Sequence, residues 1–299
     1  MVRKFDKIVR EGKYQYHNAG DIVTITEKLD GANASISINE NFDIEVFSRK
    51  QKLSEENTLR GWYGYAHEHV ADKLTECYDQ LGWIGDKILY GEWLVSHTLP
   101  YKEEFYYKFY PFALYDVFGE AYHPFEDVRD VASRLGLVTP QIFYHGEFTK
   151  IQDYMDFVGK SNMAVNEGEG IVIFNESKPY DESRTKIVSE VFSEKSNVKI
   201  HVVKDLSESE KWASEFATTA RIEKIIHKLI DEDTLPEIEF KNFGMIAKPV
   251  SEAVFEDIIE EESDLLPELF DEKTARKIVN KKVPPVVRAF IESGYKLAS

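Results

Sequence analysis

The sequence predicts an α+β fold followed by a small all-α domain, and three observations carry that reading. At 299 residues the chain is longer than a single hydrophobic core usually supports, so two domains are expected. Short apolar or alternating runs dominate the first two-thirds, and apolar residues recur with helical period after Leu206. The boundaries drawn on this basis are 1–205 and 206–299.

Each element follows from local pattern. Asp21–Leu29, Ala34–Ile38, Asp43–Ser48, Lys87–Leu94, Phe109–Phe118 and Gly168–Phe174 are rich in Ile, Val, Phe and Tyr and have strand length. Between them Leu59, Trp62, Tyr63, Ala66, Val70, Leu74 and Tyr78 space as one helical face over 57–81, with Gly82 as the stop. A second helix is predicted over 124–135, ended by Gly136. In the tail, Ser207 and Glu210 have capping-box spacing ahead of Trp212, Phe216, Ile222, Ile225, Ile226 and Leu229. Val254, Phe255, Ile258 and Ile259, then Ala275, Ile278 and Val279, continue the helical period. Pro236, Pro249, Pro267 and the Pro284-Pro285 pair are expected to break it.

Composition narrows the function classes. Sixteen Tyr and nineteen Phe are ample for packed cores and exclude general disorder. The apolar runs, such as 109–117, are far shorter than the roughly 20 residues that span a bilayer. The first sixteen residues lack an apolar stretch, so secretion is not expected. The single Cys77 cannot form an intrachain disulfide, which fits a reducing, cytoplasmic compartment. Thirty-seven basic against 54 acidic side chains leave a net charge of −17. A general nucleic-acid coat is thereby excluded; any polyanion would be held at a local basic site, weakly and with strong salt dependence.

The most informative stretch is Ile25–Asn33, in which a strand delivers Lys28 and Asp30-Gly31 then forces a turn. Taken alone, Lys-x-Asp-Gly reads first as a hairpin, because Asp-Gly is a common hairpin signal. Tyr115 alone reads as core and Glu92 as a surface charge at a strand end. His67 and His69, two apart on a helix, make a poor metal pair, and Glu260–Glu262 with Asp264 read as a solvated helix face. Cys77 reads as a small buried apolar residue.

The order of the pieces changes this. After Lys28 come Phe47-Ser-Arg49, Leu89-Tyr-Gly-Glu92-Trp, Ala113-Leu-Tyr115-Asp-Val, Glu169-Gly-Ile-Val-Ile and Lys186-Ile-Val. This ordered set resembles the covalent nucleotidyltransferase superfamily of polynucleotide ligases and capping enzymes, and within it the ATP-dependent RNA ligases, including the nick-sealing phage type. The resemblance spans about residues 20–200. Asn33, five residues past the lysine, and Phe192-Ser-Glu-Lys195 are similar to the RNA ligase branch, and the helically periodic tail differs from the OB-fold that follows in DNA ligases and capping enzymes.

The resemblance implies a nucleotidyltransferase (adenylation) domain of antiparallel sheets flanked by helices, with a C-terminal helical domain that grips RNA. It implies Lys28 as the nucleophile that takes AMP from ATP, and Glu27 and Leu29 flanking the purine and phosphate. Asn33 belongs to the nucleotide site; Arg49 and Glu92 are implied to bind the ribose, Tyr115 to stack on adenine and Lys186 to neutralise the α-phosphate. Asp30 and Glu169 would hold Mg²⁺ or Mn²⁺ largely through its waters. The implied reaction joins an RNA 3′-hydroxyl to a 5′-phosphate in RNA repair, with no membrane and no obligate protein partner. Two departures stand out: Val188 occupies the position of a second lysine, whose charge Arg184 or Lys195 could replace, and Asp30 stands where the phage type can have histidine. DNA ligation, RNA-to-DNA joining and a nucleotide-sensing protein without turnover are the alternatives. A divalent ion is expected to be required, because an ordinary lysine is only about one part in 10³ neutral at pH 7.5 and nearby carboxylates favour the ammonium. Lys281, Lys282, Arg288 and Lys296 form the one basic stretch of the tail, read either as a solvated face or as a contact for RNA phosphates.

Overall fold

A computed structural model describes residues 3–6, 8–12, 15–181, 183–189 and 207–294. The chain divides into two compact units, Met1–Ser189 and Glu190–Ser299, so the first ends ahead of the boundary expected at 205. Phe192–Lys195, the stretch around Leu206 and Lys296 lie outside the described residues.

The first unit is built on two five-stranded sheets. One has the order β1 (Val9–Arg10), β10 (Arg184–Val188), β9 (Gly170–Asn175), β2 (Ile22–Lys28), β8 (Ile142–Glu147). The other runs β4 (Ile44–Ser48), β3 (Ala32–Ile38), β5 (Lys87–Trp93), β6 (Phe109–Asp116), β7 (Ala121–Tyr122). All pairings are antiparallel except the short β1 with β10. Asp30-Gly31 therefore makes no hairpin: it carries the chain from β2 in one sheet to β3 in the other.

Strand alternation assigns the faces. Val23 and Ile25 of β2 and Ile171 and Ile173 of β9 pack with Phe148 and Tyr154 on one side of the first sheet, which leaves Thr24, Thr26 and Lys28 on the other. The second sheet buries Ile36, Leu89 and Leu114 against the predicted helices. These are α1 (Trp62–Tyr65) and α2 (Ala71–Leu81), joined by a π-helical turn at Ala66–Val70, and α3 (Phe125–Leu135). Gly82 and Gly136 end α2 and α3 in the left-handed conformation. A third cluster, Phe5, Tyr90, Ala113, Tyr115, Tyr122 and Phe174, draws on both sheets.

In the second unit the described elements are helices: α4 (Glu208–Phe216), α5 (Thr219–Asp231), α6 (Phe243–Glu262) and α7 (Glu272–Glu292), with two short 3₁₀ turns. Ser207 and Glu210 form the capping box. Pro249, Pro284 and Pro285 do not break helices as expected; they lie inside α6 and α7. The carbonyls they leave without a helical partner belong to Met245, Asn280 and Lys281, all exposed to water, and Val250, Val254, Val283 and Val287 are buried around them.

The acidic run also departs from expectation. Glu262 is 5% exposed and accepts a hydrogen bond of 2.5 Å from Arg221, itself fully buried, whose other nitrogen reaches Asp257 at 2.9 Å. His67 and His69 are exposed beside Tyr63 and Tyr65. Cys77 is buried, and burial pushes its thiol up. Among the described residues no helix is long and apolar enough to cross a membrane.

Glu262→Ala should destabilise the second unit by about 3 kcal/mol, since it leaves half of a buried guanidinium without its carboxylate. Urea unfolding followed by tryptophan fluorescence measures this; a loss below about 1 kcal/mol would mean water compensates Arg221.

Candidate active site

Lys28 ends β2 as its last residue, level with Gly170 of β9 and, one strand further, Val188 of β10. Its Nζ donates a 2.6 Å hydrogen bond to Glu169 Oε2. Glu169 is 7% exposed and enters β9 through Gly168-Glu169-Gly170. Both glycines are required by contact: a Cβ on Gly168 would lie 2.9 Å from the Ser161 Cβ, and one on Gly170 would overlap the Ile187 carbonyl. Lys186, buried, is one cross-strand row away, level with Val172 and Thr26 on the face that carries Lys28.

The turn after Lys28 brings in the second sheet. Gly31 N–H donates to Glu92 Oε1 at 2.8 Å, and a Cβ on Gly31 would stand 2.7 Å from the Trp93 carbonyl and 3.0 Å from the Glu92 Cγ. Only glycine allows that approach. Asn33 lies directly opposite Glu92 on the neighbouring strand, and Arg49, exposed, follows Ser48, the partner of Ala34. Burial pushes the Glu92 carboxyl up to about 7, with Glu169 adding to the rise, against the pull of Lys28, the Gly31 N–H and His97.

Asp30 is held by the chain itself. Its Oδ2 accepts from Leu99 N–H at 2.8 Å, its Oδ1 lies 3.5 Å from His97 Nδ1, and its own N–H donates to the Tyr101 hydroxyl at 2.7 Å. Burial would raise this carboxyl, yet His97, the Leu99 amide and Lys28 together hold it down at about 2. Among the described residues no three His, Cys, Asp or Glu side chains are grouped to hold a metal ion.

Three expected residues sit apart from Lys28. Glu27 points to the opposite face of β2, 2% exposed; one carboxylate oxygen accepts from the Ser161 hydroxyl and Oε2 has no hydrogen-bond partner among the described residues. Burial pushes it up to about 7 against that one hydrogen bond. Leu29 is buried. Tyr115 is level with Ile88, four residues along β5 from Glu92, and is 4% exposed with the Arg3 guanidinium 3.5 Å from its ring centroid. Arg184 lies against Tyr122 and Phe174 in the same aromatic cluster, and burial lowers it to about 10.

With this geometry in hand, the chain can be compared with known proteins. Residues 21–188 match the family model for RNA ligase, a span that covers more than half of the chain. The protein belongs to the RNA ligase family. Two solved structures of Naegleria gruberi RNA ligase variants, one with ATP and Mn and one with AMP and Mn, share its fold at TM-score 0.50 and 20% identity. Each match covers 64% of this chain and 57% of the other, so this chain spans little more than half the length of those relatives. No curated protein matches the sequence.

Lys28, Glu169, Glu92, Asp30 and Asn33 are thus gathered at one end of the two sheets of this RNA ligase family member, with Lys186 one row in. Sequence reasoning missed His97, Tyr101, Ser161 and Arg3. None carries a local pattern: each acts by a contact across at least 60 residues of chain, as His97 does with Asp30.

Gly31→Ala should destabilise the first unit by about 1–3 kcal/mol, because the added Cβ would stand 2.7 Å from the Trp93 carbonyl and the turn must move away from Glu92 to relieve it; an unchanged midpoint in thermal unfolding would refute the close-approach account. Glu27 makes a pH-dependent prediction. The native carboxyl keeps its proton to about pH 7, whereas the unfolded chain releases it near 4.5, so native stability falls as pH rises between those values. Against Glu27→Gln the wild type should lose on the order of 1 kcal/mol per pH unit across that window; parallel stability curves from thermal unfolding would contradict it.

Proposed function

We propose that the protein is an ATP-dependent RNA ligase that joins an RNA 3′-hydroxyl to a 5′-phosphate through a lysyl-AMP intermediate, in RNA repair. The observation that carries the reading is the family match to residues 21–188 together with Lys28 and Glu169 in direct contact at 2.6 Å.

In the first step Lys28 Nζ attacks the α-phosphorus of ATP, the Nζ–P bond forms, the bond to the β-phosphate oxygen breaks and pyrophosphate leaves. Nζ must lose a proton to do so, and Glu169 Oε2 stands within reach to receive it. Lys186, on the same sheet face, offsets the charge of the phosphate. Glu92, Asn33 and Arg49, which lie at the adjoining edge of the second sheet, would hold the ribose. In the second step an RNA 5′-phosphate oxygen attacks the lysyl-bound phosphorus, which frees Lys28 and leaves the phosphate capped by AMP. In the third the 3′-hydroxyl attacks the capped 5′-phosphate and AMP departs. Catalysis is positioning and charge neutralisation.

Glu169 would be the residue that holds a divalent ion, Mg²⁺ or Mn²⁺, since such an ion can be bound with only one or two protein carboxylates. Bound there, it supplies positive charge to the phosphates. Asp30 fits that role less well, because both its oxygens already have partners in the chain. Stacking of adenine on Tyr115 requires Arg3 to leave the ring. The helical second unit is assigned to RNA, and the site to a reducing cytoplasmic compartment.

Intact-protein mass spectrometry tests the reading. Incubation with ATP and Mg²⁺ should add one AMP; Lys28→Ala, excess EDTA and GTP in place of ATP should each abolish the adduct. A GMP adduct would move the assignment to capping, and no adduct on protein stripped of nucleotide would leave a nucleotide-sensing protein.

A further inference from the structure

Helix α7 differs in charge from everything around it. It carries six basic and two acidic side chains, whereas residues 207–271 carry six basic against 18 acidic. Its basic groups are not equivalent. Lys282 is turned inward, its Nζ donating to the Ser214 carbonyl at 2.6 Å. Arg276 is clasped by Glu272 at 2.7 Å and lies 4.0 Å from the Phe255 ring. Lys273, Lys277 and Lys281 recur every fourth residue, are exposed, and among the described residues form no ion pair. That spacing stacks them along one side of the helix over about 12 Å. Arg288, also exposed, continues the same side beyond Pro284-Pro285, 5.7 Å from the Phe243 ring.

Like charges four apart on a helix oppose its formation, and in a unit with so many carboxylates each of these lysines could have been paired at little cost. The stability of the helix gives no reason for the row. We propose that the outer side of α7, carried by Lys273, Lys277 and Lys281 with Arg288 beyond them, binds the sugar–phosphate backbone of RNA. The inference rests on the RNA-joining reading and names the surface that would hold the polynucleotide. A row of single positive charges on flexible stems matches a row of phosphates and reads no base. The acidic excess of residues 207–271 disfavours a polyanion over that part of the unit, so contact is concentrated on the row. Asn280, exposed on the same side and beside Lys277 in a shallow depression with Lys273, Arg276 and the Glu272 that pairs with Arg276, can add a neutral hydrogen bond.

The test is the salt dependence of RNA binding by the full chain. Fluorescence anisotropy of a labelled, nicked RNA duplex is measured over a KCl series for the wild type, for Lys273→Ala/Lys277→Ala/Lys281→Ala and for the matching triple Arg variant. Each lost phosphate contact removes about 0.7–0.9 from the slope of log K against log [salt]. The alanine variant should therefore be shallower by about 2–3, the arginine variant should keep the wild-type slope, and AMP labelling of Lys28 should be the same in all three. A wild-type slope in the alanine variant overturns the proposal. Should that variant also lose AMP labelling, the three single alanine variants decide: each is expected to lower the slope by one contact, and unchanged slopes overturn it. Failure of the wild type to take up AMP would count against the ligase reading alone, because the slope comparison is read without catalysis.

Discussion

The site depends on how closely Gly31 approaches the backbone of β5. With no side chain, it brings its N–H to 2.8 Å from Glu92 and lets the chain step from one sheet to the other within three residues. Lys28 then ends the first sheet while Asn33 begins its run along the second, opposite Glu92. Gly170 does the corresponding work on the other side of Lys28. Its strand runs so close to β10 that a side chain would overlap the Ile187 carbonyl, and this closeness sets Glu169 against Nζ. Two glycines, each demanded by a backbone contact, thus place four functional side chains.

Crowding three carboxylates around one ammonium is electrostatically costly, and the fold handles each in a different way. Asp30 stays ionised because an amide and His97 hold it. Glu169 has Lys28 as its partner. Glu92, which burial penalises as an anion and the charge of Glu169 penalises further, keeps its proton up to about pH 7 despite its hydrogen bond from Gly31. A carboxyl so poised can lose its proton when positive charge or a hydrogen-bond donor arrives with a ligand. Glu27, on the far side of β2, serves the layer beneath: its link to Ser161 ties the loop that leads into Glu169.

The second unit uses charge differently. Its core is a set of amphipathic helices, with Arg221 and Glu262 buried as a pair and three prolines accommodated inside α6 and α7, each four residues past an exposed residue. An acidic unit that lines up Lys273, Lys277 and Lys281 on one side of one helix concentrates positive charge there, which favours that side for any polyanion.

Much of this was legible in the sequence, because the signals are local. Strand and helix periodicity, Gly82 and Gly136 as helix ends, the Ser207–Glu210 capping box and the glycines of the lysine and Glu169 motifs each act within a few residues of chain. The order of motifs, from Lys28 to Lys186, was enough to point to the RNA ligase family. Tertiary structure alone decided the rest. Asp30 turned out to be bonded to Leu99 and His97, Glu27 to be buried against Ser161, Tyr115 to lie under Arg3, and Glu262 to be buried with Arg221. In every case the deciding partner is distant in sequence, and a carboxylate or ring has the same local pattern whether its partner is water, metal, nucleotide or another side chain. Position along the chain determined which groups the site could contain; burial and long-range contact determined which of them were already engaged.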